Sequence, residues 1–157
     1  VLMGREYAAE ECVTLVGPSL KSIEKVRVLG PLRPETQLEI SKTDSFTLGV
    51  STPVRESGDL KDTPGIEIIG PAGSVKKDHG VIVALRHIHM STEDARKFGV
   101  KDKDVVDVIV GNETRKAILT NVLVRVSDKF VLEMHLDIDE GNAVGAGNND
   151  PAYIRKY

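Results

Sequence analysis

Residues 38–50 (LEISKTDSFTLGV) and residues 88–100 (IHMSTEDARKFGV) decide the fold, because they are two versions of one local pattern. An apolar-polar-apolar triplet opens both segments, and four further identities follow at an offset of 50 residues, at Ser41/Ser91, Asp44/Asp94, Gly49/Gly99 and Val50/Val100. A serine three residues before an acidic residue is a helix N-cap signal, and a glycine commonly ends a helix. The pattern therefore predicts an internal duplication, in which each copy is a short strand followed by a short helix.

The rest of the chain is typical of β-structure. It contains 20 Val and 11 Ile, no Trp and only 4% aromatic residues, and β-branched residues favour strands. Alternation and Gly-Pro turns predict strands at Cys12–Val16, Glu24–Leu29, Thr36–Ile40, Ile66–Ile69, Val81–His89, Val105–Val110, Ala117–Val126 and Phe130–Leu136. The polar stretch Ser51–Gly65 is expected to be a linker or long loop, and Gly141–Tyr157 shows no clear periodicity.

We therefore expect a mostly β protein with short helices, built from two small, similar β-barrels at residues 1–85 and 86–157. Neither unit is large enough to bury a good core alone, so the two are expected to pack together.

Composition excludes several functions. With 21 Lys+Arg against 24 Asp+Glu, the net charge is −3, which argues against a dedicated binder of nucleic acid or of anionic membranes. No apolar run approaches the roughly 20 residues of a membrane span. The single cysteine, Cys12, excludes an internal disulfide and fits a reducing compartment; we expect it to be a buried small apolar residue.

Histidines supply the strongest chemical signal. In Arg86–Met90 (RHIHM), His87 and His89 share one strand face while their neighbours point to the core. His135 lies on the polar side of a second alternating strand. Three histidines on neighbouring strands, with an open position, form the layout of a catalytic zinc site. The alternative is that these side chains only face solvent. His79 is interpreted as a turn residue.

Two charged residues in the first unit are further candidates. Glu39 occupies the position equivalent to His89 in the duplicated pattern, so its carboxylate could bind the same metal or a second one. Arg33 lies six residues upstream, and an arginine near a metal is suited to bind phosphate. On sequence grounds alone, both could equally be solvated surface charges.

These segments resemble a known family. RHIHMS at 86–91, FVLEMHLDID at 130–139 with residues 140–143 following, LEISKTDSF at 38–46 and PVRESGD at 53–59 are together similar to the PduL-type phosphate propanoyltransferases. The resemblance runs from about Glu10 to Ala143. It implies two small β-barrels and a reversible, metal-dependent reaction of propanoyl-CoA or acetyl-CoA with phosphate, which gives an acyl phosphate and free CoA.

The resemblance also implies site residues and surroundings. His87, His89 and His135 match the ligands of one metal ion, usually zinc, Glu39 matches a ligand of a second, and Arg33 matches an arginine near the phosphate. The implied partners are acyl-CoA and phosphate, with no nucleic acid and no membrane, and with homo-oligomers or microcompartment association compatible with the family. The implied location is the cytoplasm or a bacterial microcompartment lumen.

The family pattern includes one segment that is not in this chain, a further His-x-His strand of the form RHVHLS. We expect it to precede Val1, to complete the second barrel and to supply ligands for the metal near Glu39. Without it, an open sheet edge is expected in residues 86–157.

Two alternatives remain at this stage. Gly80, His87, His89, Glu93 and Gly99 approach the pattern of a cupin-like metalloenzyme. A non-catalytic, metal-stabilised β-barrel that binds a ligand or partner is the other, but neither alternative has a use for Arg33 and Glu39.

Overall fold

The computed structural model describes residues 6–155 and divides the chain into two compact units, with the boundary between Ala84 and Leu85. The expected mostly β fold class is confirmed. The strands are β1 (Tyr7–Val16), β2 (Ser22–Gly30), β3 (Leu38–Glu39), β4 (Val54–Arg55), β5 (Ile66–Gly70), β6 (Gly73–Lys77), β7 (Val81–Ala84), β8 (His87–Met90), β9 (Val105–Val110), β10 (Ala117–Val126), β11 (Glu133–His135) and β12 (Ala152–Ile154). The helices are α1 (Lys42–Leu48), α2 (Thr92–Phe98) and α3 (Ile138–Val144).

The first unit contains two sheets. An antiparallel sheet has the strand order β2-β1-β5-β6, and a small parallel sheet has the order β3-β7-β4. Leu15, Leu48 and Val81 are almost completely inaccessible to solvent and form the centre of its core. Burying such side chains is the main favourable contribution to folding.

The second unit is built on one sheet with the order β11-β8-β10-β9-β12. β8 and β10 are parallel, and the other pairs are antiparallel. Met90, Val122 and Val124 are fully buried beneath it, together with Ile88 and Val108. One face of this sheet therefore carries the core, as the alternation predicts. Closure of either unit into a barrel stays a prediction.

The three helices begin and end in the same way. Each starts with a reciprocal capping box and stops at a glycine in the left-handed region, at Gly49, Gly99 and Gly145. These devices satisfy backbone groups that a seven-residue helix leaves unpaired at its ends. Glycine is needed at these stops because its φ lies between 64° and 72°.

Several predicted boundaries are wrong. The run Val81–His89 is two strands, because Val81–Ala84 pairs in the first unit whereas His87–Met90 pairs in the second. Only Glu133–His135 of the expected strand Phe130–Leu136 joins the sheet. The expected loop Ser51–Gly65 contains β4. In the stretch Gly141–Tyr157, where no periodicity is visible, the end of α3 and the strand β12 form.

Cys12 is exposed, which contradicts the prediction that it is buried. It lies on β1, where the inward-facing side of the strand is occupied by Val13 and Leu15. Within residues 6–155, no helix is both long and apolar enough to cross a membrane.

Candidate metal centre and its surroundings

Three imidazoles converge on one side of the second unit. His87 and His89 lie on β8, and His135 lies on β11 directly opposite His87 in the antiparallel register. Each offers one nitrogen, and these three atoms lie within 4.8 Å of one another. The ring centroids are 4.6 to 4.9 Å apart. The predicted convergence of the three histidines is therefore present, and the cluster is compact enough to bind a metal ion.

A backbone contact sets the tautomer of His87. Its Nδ1 lies 2.8 Å from the Leu85 carbonyl oxygen, so Nδ1–H donates to that oxygen and Nε2 keeps its lone pair. Metal-binding histidines commonly donate their other ring N–H to a carbonyl or carboxylate in this way. The contact fixes the ring before any ion arrives.

His89 is the most enclosed of the three. It is 8% exposed, and the Phe130 ring packs against it with centroids 4.3 Å apart. Burial lowers the pKa of His89 to about 4, with smaller contributions from the neighbouring His87, His135 and Arg125. The ring is therefore neutral at pH 7 and can donate a lone pair to a metal.

One nitrogen of His89 favours a bound cation. Its Nδ1 is buried, and among residues 6–155 it has no hydrogen-bond partner. Buried polar atoms are usually paired, because an unpaired one costs about 1–3 kcal/mol. Three imidazoles, one of which has a buried nitrogen without a partner among the described residues, fit a zinc-type ion.

Phe130 occupies a different place from the predicted one. The alternation places it on the core face with Met134, but its ring contacts His89 at the histidine cluster. The strand begins only at Glu133, so the alternation does not extend back to residue 130. Phe130 covers the cluster on one side and contributes to the burial of His89.

A third copy of the duplicated pattern surrounds His135, and the sequence analysis missed it. His135 precedes the N-cap Asp137 by two residues, as His89 precedes Ser91 and Glu39 precedes Ser41. A seven-residue helix and a left-handed glycine follow in all three copies. The available signal was the spacing of Asp137, Glu140 and Gly145, which equals that of Ser91, Asp94 and Gly99.

Arg86, which directly precedes β8, contacts the helix that follows β11. Its Nη1 lies 2.7 Å from Glu140 Oε1, and its Nε donates to the Thr120 carbonyl oxygen at 2.8 Å. The other carboxylate oxygen of Glu140 accepts from the backbone N–H of Asp137, in the capping box that follows His135. A residue adjacent to His87 thus holds the helix adjacent to His135.

Glu39 and Arg33 lie in the first unit, where Gln37 connects them. Gln37 Nε2 donates to Glu39 Oε1 at 2.6 Å, and its Oε1 accepts from the backbone N–H of Gly58 at 2.7 Å and from Arg33 at 3.5 Å. Arg33 also donates to Ser57 Oγ at 3.0 Å. Both predicted residues are exposed and belong to one polar network. Gln37, between them, was not identified from the sequence.

Two other candidates are placed outside the histidine cluster. His79 is hydrogen-bonded to Glu35 and Asp78, and these two carboxylates raise its pKa above the ordinary value. Glu93, which the cupin-like alternative needs beside the histidines, lies on α2 and forms an exposed ion pair with Lys97. This placement removes the acidic ligand on which that alternative depends.

Comparisons with known proteins test the family resemblance. A family model described as phosphate propanoyltransferase matches residues 2–147. A phosphate propanoyltransferase of Thermotoga maritima is 57% identical over 152 residues, which are 97% of this chain and 72% of the relative. Those of Rhodopseudomonas palustris and Salmonella typhimurium are 54% and 50% identical, over 96% and 94% of this chain and 66% and 70% of the relatives. Because the family model and the relatives match nearly all of its length, the chain belongs to the phosphate propanoyltransferase family, whose members are acyltransferase enzymes.

Proposed function

We propose that this protein catalyses the reversible reaction of propanoyl-CoA or acetyl-CoA with phosphate, which gives acyl phosphate and free CoA. We further propose that His87, His89 and His135 hold a zinc ion that the reaction requires. The convergence of three nitrogens, one of them on a buried neutral imidazole, is the observation that carries the metal. Family membership supports the substrates.

The chemistry needs phosphate to be held and oriented. A zinc ion with an open position would act as a Lewis acid toward a phosphate or carbonyl oxygen. The histidines keep their lone pairs directed to one point, because His87 is fixed by Leu85 and His89 is enclosed by Phe130. Orientation of this kind reduces the entropic cost of bringing two reactants together.

In this proposal, residues of the first unit bind phosphate and orient the groups that contact it. Arg33 is exposed and has donors beyond the Nη1 group that contacts Ser57, so it can form charge-assisted hydrogen bonds with phosphate. Gln37 orients both Arg33 and the carboxylate of Glu39, for which we propose a role as ligand of a second metal ion. The proposed mechanism uses no serine or cysteine nucleophile. We therefore propose that the acyl group passes directly from CoA to phosphate.

A thiol-release assay tests the function. Purified protein is mixed with propanoyl-CoA and phosphate, and free CoA is followed; the reverse reaction starts from acyl phosphate and CoA. Release that does not depend on phosphate would identify a thioesterase instead, and no release would leave the non-catalytic binding module as the better account.

Matched histidine variants test the metal. His89→Ala is expected to lose turnover and about one zinc ion per chain, the content of one three-histidine site, while its fold persists. His79→Ala is the control, because His79 lies outside the cluster, and it should keep both. Equal zinc content in the two variants would contradict the assignment.

Location and assembly stay predictions that rest on the resemblance. The cytoplasm or a bacterial microcompartment lumen, and association with other copies or with a microcompartment shell, are best tested by fractionation of cells and by light scattering of the purified protein.

A further inference from the structure

Arg125 lies beside the histidine cluster, where its charge helps to lower the pKa of His89, but none of the hydrogen bonds or ion pairs described above involves it. It is on β10, where the parallel register places it directly opposite His89. Glu133 is opposite His89 on the other side, on β11. Residues directly opposite in neighbouring strands share a sheet face, so these three side chains form a row across that face.

The Arg125 guanidinium meets no acceptor among the residues that the structure describes. Within residues 6–155, it makes neither a hydrogen bond nor an ion pair, and its observed contact is with the Phe130 ring, 5.9 Å from Cζ to the centroid. The residue is half-buried. Four other arginines use their guanidinium groups within the protein, at Arg33, Arg55, Arg86 and Arg115.

This arrangement is unfavourable without an anion. A guanidinium carries five N–H donors in a planar fork, and desolvating them without an acceptor costs free energy. The aromatic face of Phe130 compensates only in part. A cation bound to the histidines would add like-charge repulsion on the same face. An anion that contacts both the guanidinium and the bound cation would accept hydrogen bonds from the first and reduce the repulsion between the two.

We propose that Arg125 binds a phosphoryl anion of the substrate at the histidine cluster. The identity of the anion rests on the proposed function, in which every substrate and product carries phosphate groups. Phosphate oxygens match the guanidinium fork and accept two hydrogen bonds from it at once. The phosphoryl group belongs either to inorganic phosphate and the acyl phosphate or to the nucleotide part of CoA.

Direct binding measurements separate this proposal from the proposed function, because they need no turnover. Metal-loaded protein is titrated with inorganic phosphate, followed by phosphorus NMR. A second titration uses adenosine 3′,5′-bisphosphate, which represents the nucleotide part of CoA without the thiol that would itself bind a metal. Wild type, Arg125→Gln, Arg125→Lys and the control Arg96→Gln are compared. Arg96 is an exposed arginine on α2, so its variant changes the charge of the same unit equally.

Arg125→Gln is expected to weaken binding of one of the two probes about tenfold to a hundredfold, the loss of charge-assisted hydrogen bonds. Arg125→Lys should recover part of the affinity, and Arg96→Gln should bind like wild type. Weaker phosphate binding would assign Arg125 to the phosphate that reacts, and weaker bisphosphate binding would assign it to the CoA nucleotide.

A purely structural role predicts a different result. If Arg125 serves only to pack on Phe130, Arg125→Gln would lower the melting temperature but bind both probes like Arg96→Gln. That outcome, in protein that is folded and retains its metal, would overturn the proposal.

Discussion

Replacing Arg86 with methionine is expected to destabilise the second unit by about 2 kcal/mol. The variant keeps the aliphatic volume but loses the 2.7 Å contact with Glu140 and the 2.8 Å bond to the Thr120 carbonyl. The side chains of Arg86 and Glu140 are only 23% and 22% exposed, so water screens the pair weakly. Hydrogen bonds to charged groups in such places contribute about 1.5–3 kcal/mol.

An exposed pair of equal length provides the control. Lys97 and Glu93 also approach to 2.7 Å, but their side chains are 63% and 75% exposed. Water screens exposed pairs of this kind, so Lys97→Met should cost far less stability than Arg86→Met. Because the two ion pairs have the same N–O distance, the difference in their burial predicts a severalfold larger loss of stability in Arg86→Met than in Lys97→Met.

The assay is urea unfolding of the metal-free protein, with Glu140→Gln and the double variant completing a thermodynamic cycle. Glutamine can still accept from the Asp137 backbone N–H, so Glu140→Gln removes the ion pair but keeps the helix cap. The coupling energy between Arg86 and Glu140 should exceed about 1 kcal/mol. Zinc affinity, measured by competition with a chelator, should fall about 10- to 100-fold in Arg86→Met, because Arg86 lies next to His87 and holds the helix that follows His135.

Two results would refute this reasoning. A stability loss in Arg86→Met no larger than that in Lys97→Met would show that burial does not strengthen the pair. Unchanged zinc affinity, with the loss of stability observed, would show that the ion pair stabilises the unit without positioning the histidines.

Further predictions concern two glycine substitutions and the pKa of His79. Gly99→Ala should cost about 1 kcal/mol in urea unfolding, because its φ of 70° is left-handed but an added Cβ meets no atom within 4 Å. Gly17→Ala should cost more, about 2–3 kcal/mol, since its Cβ would collide with the Leu48 backbone; equal costs would contradict this. The carboxylates around His79 raise its pKa, so a proton NMR titration should place it above 6.5 and Glu35→Gln should lower it. The stabilisation from protonated His79 is complete below its unfolded-state pKa and disappears as pH rises through the folded-state pKa, and a pKa at or below 6.5 would contradict the contact.

Local patterns determined much of this protein from sequence alone. Alternation predicts that His87 and His89 share a face opposite the buried Ile88 and Met90, since successive side chains of a strand point to opposite sides. Capping residues predict α2, because they satisfy backbone groups within one turn of chain. The motifs around these residues were also sufficient to indicate the family.

Contacts between distant segments were decided only by the tertiary structure. Alternation assigns His135 to a face, but only the pairing of β11 with β8 places it opposite His87. The same holds for Arg125, which stands beside His89 because β10 pairs with β8 in parallel. A strand's periodicity fixes which side a residue faces, whereas its neighbours depend on the free energy of packing the whole sheet.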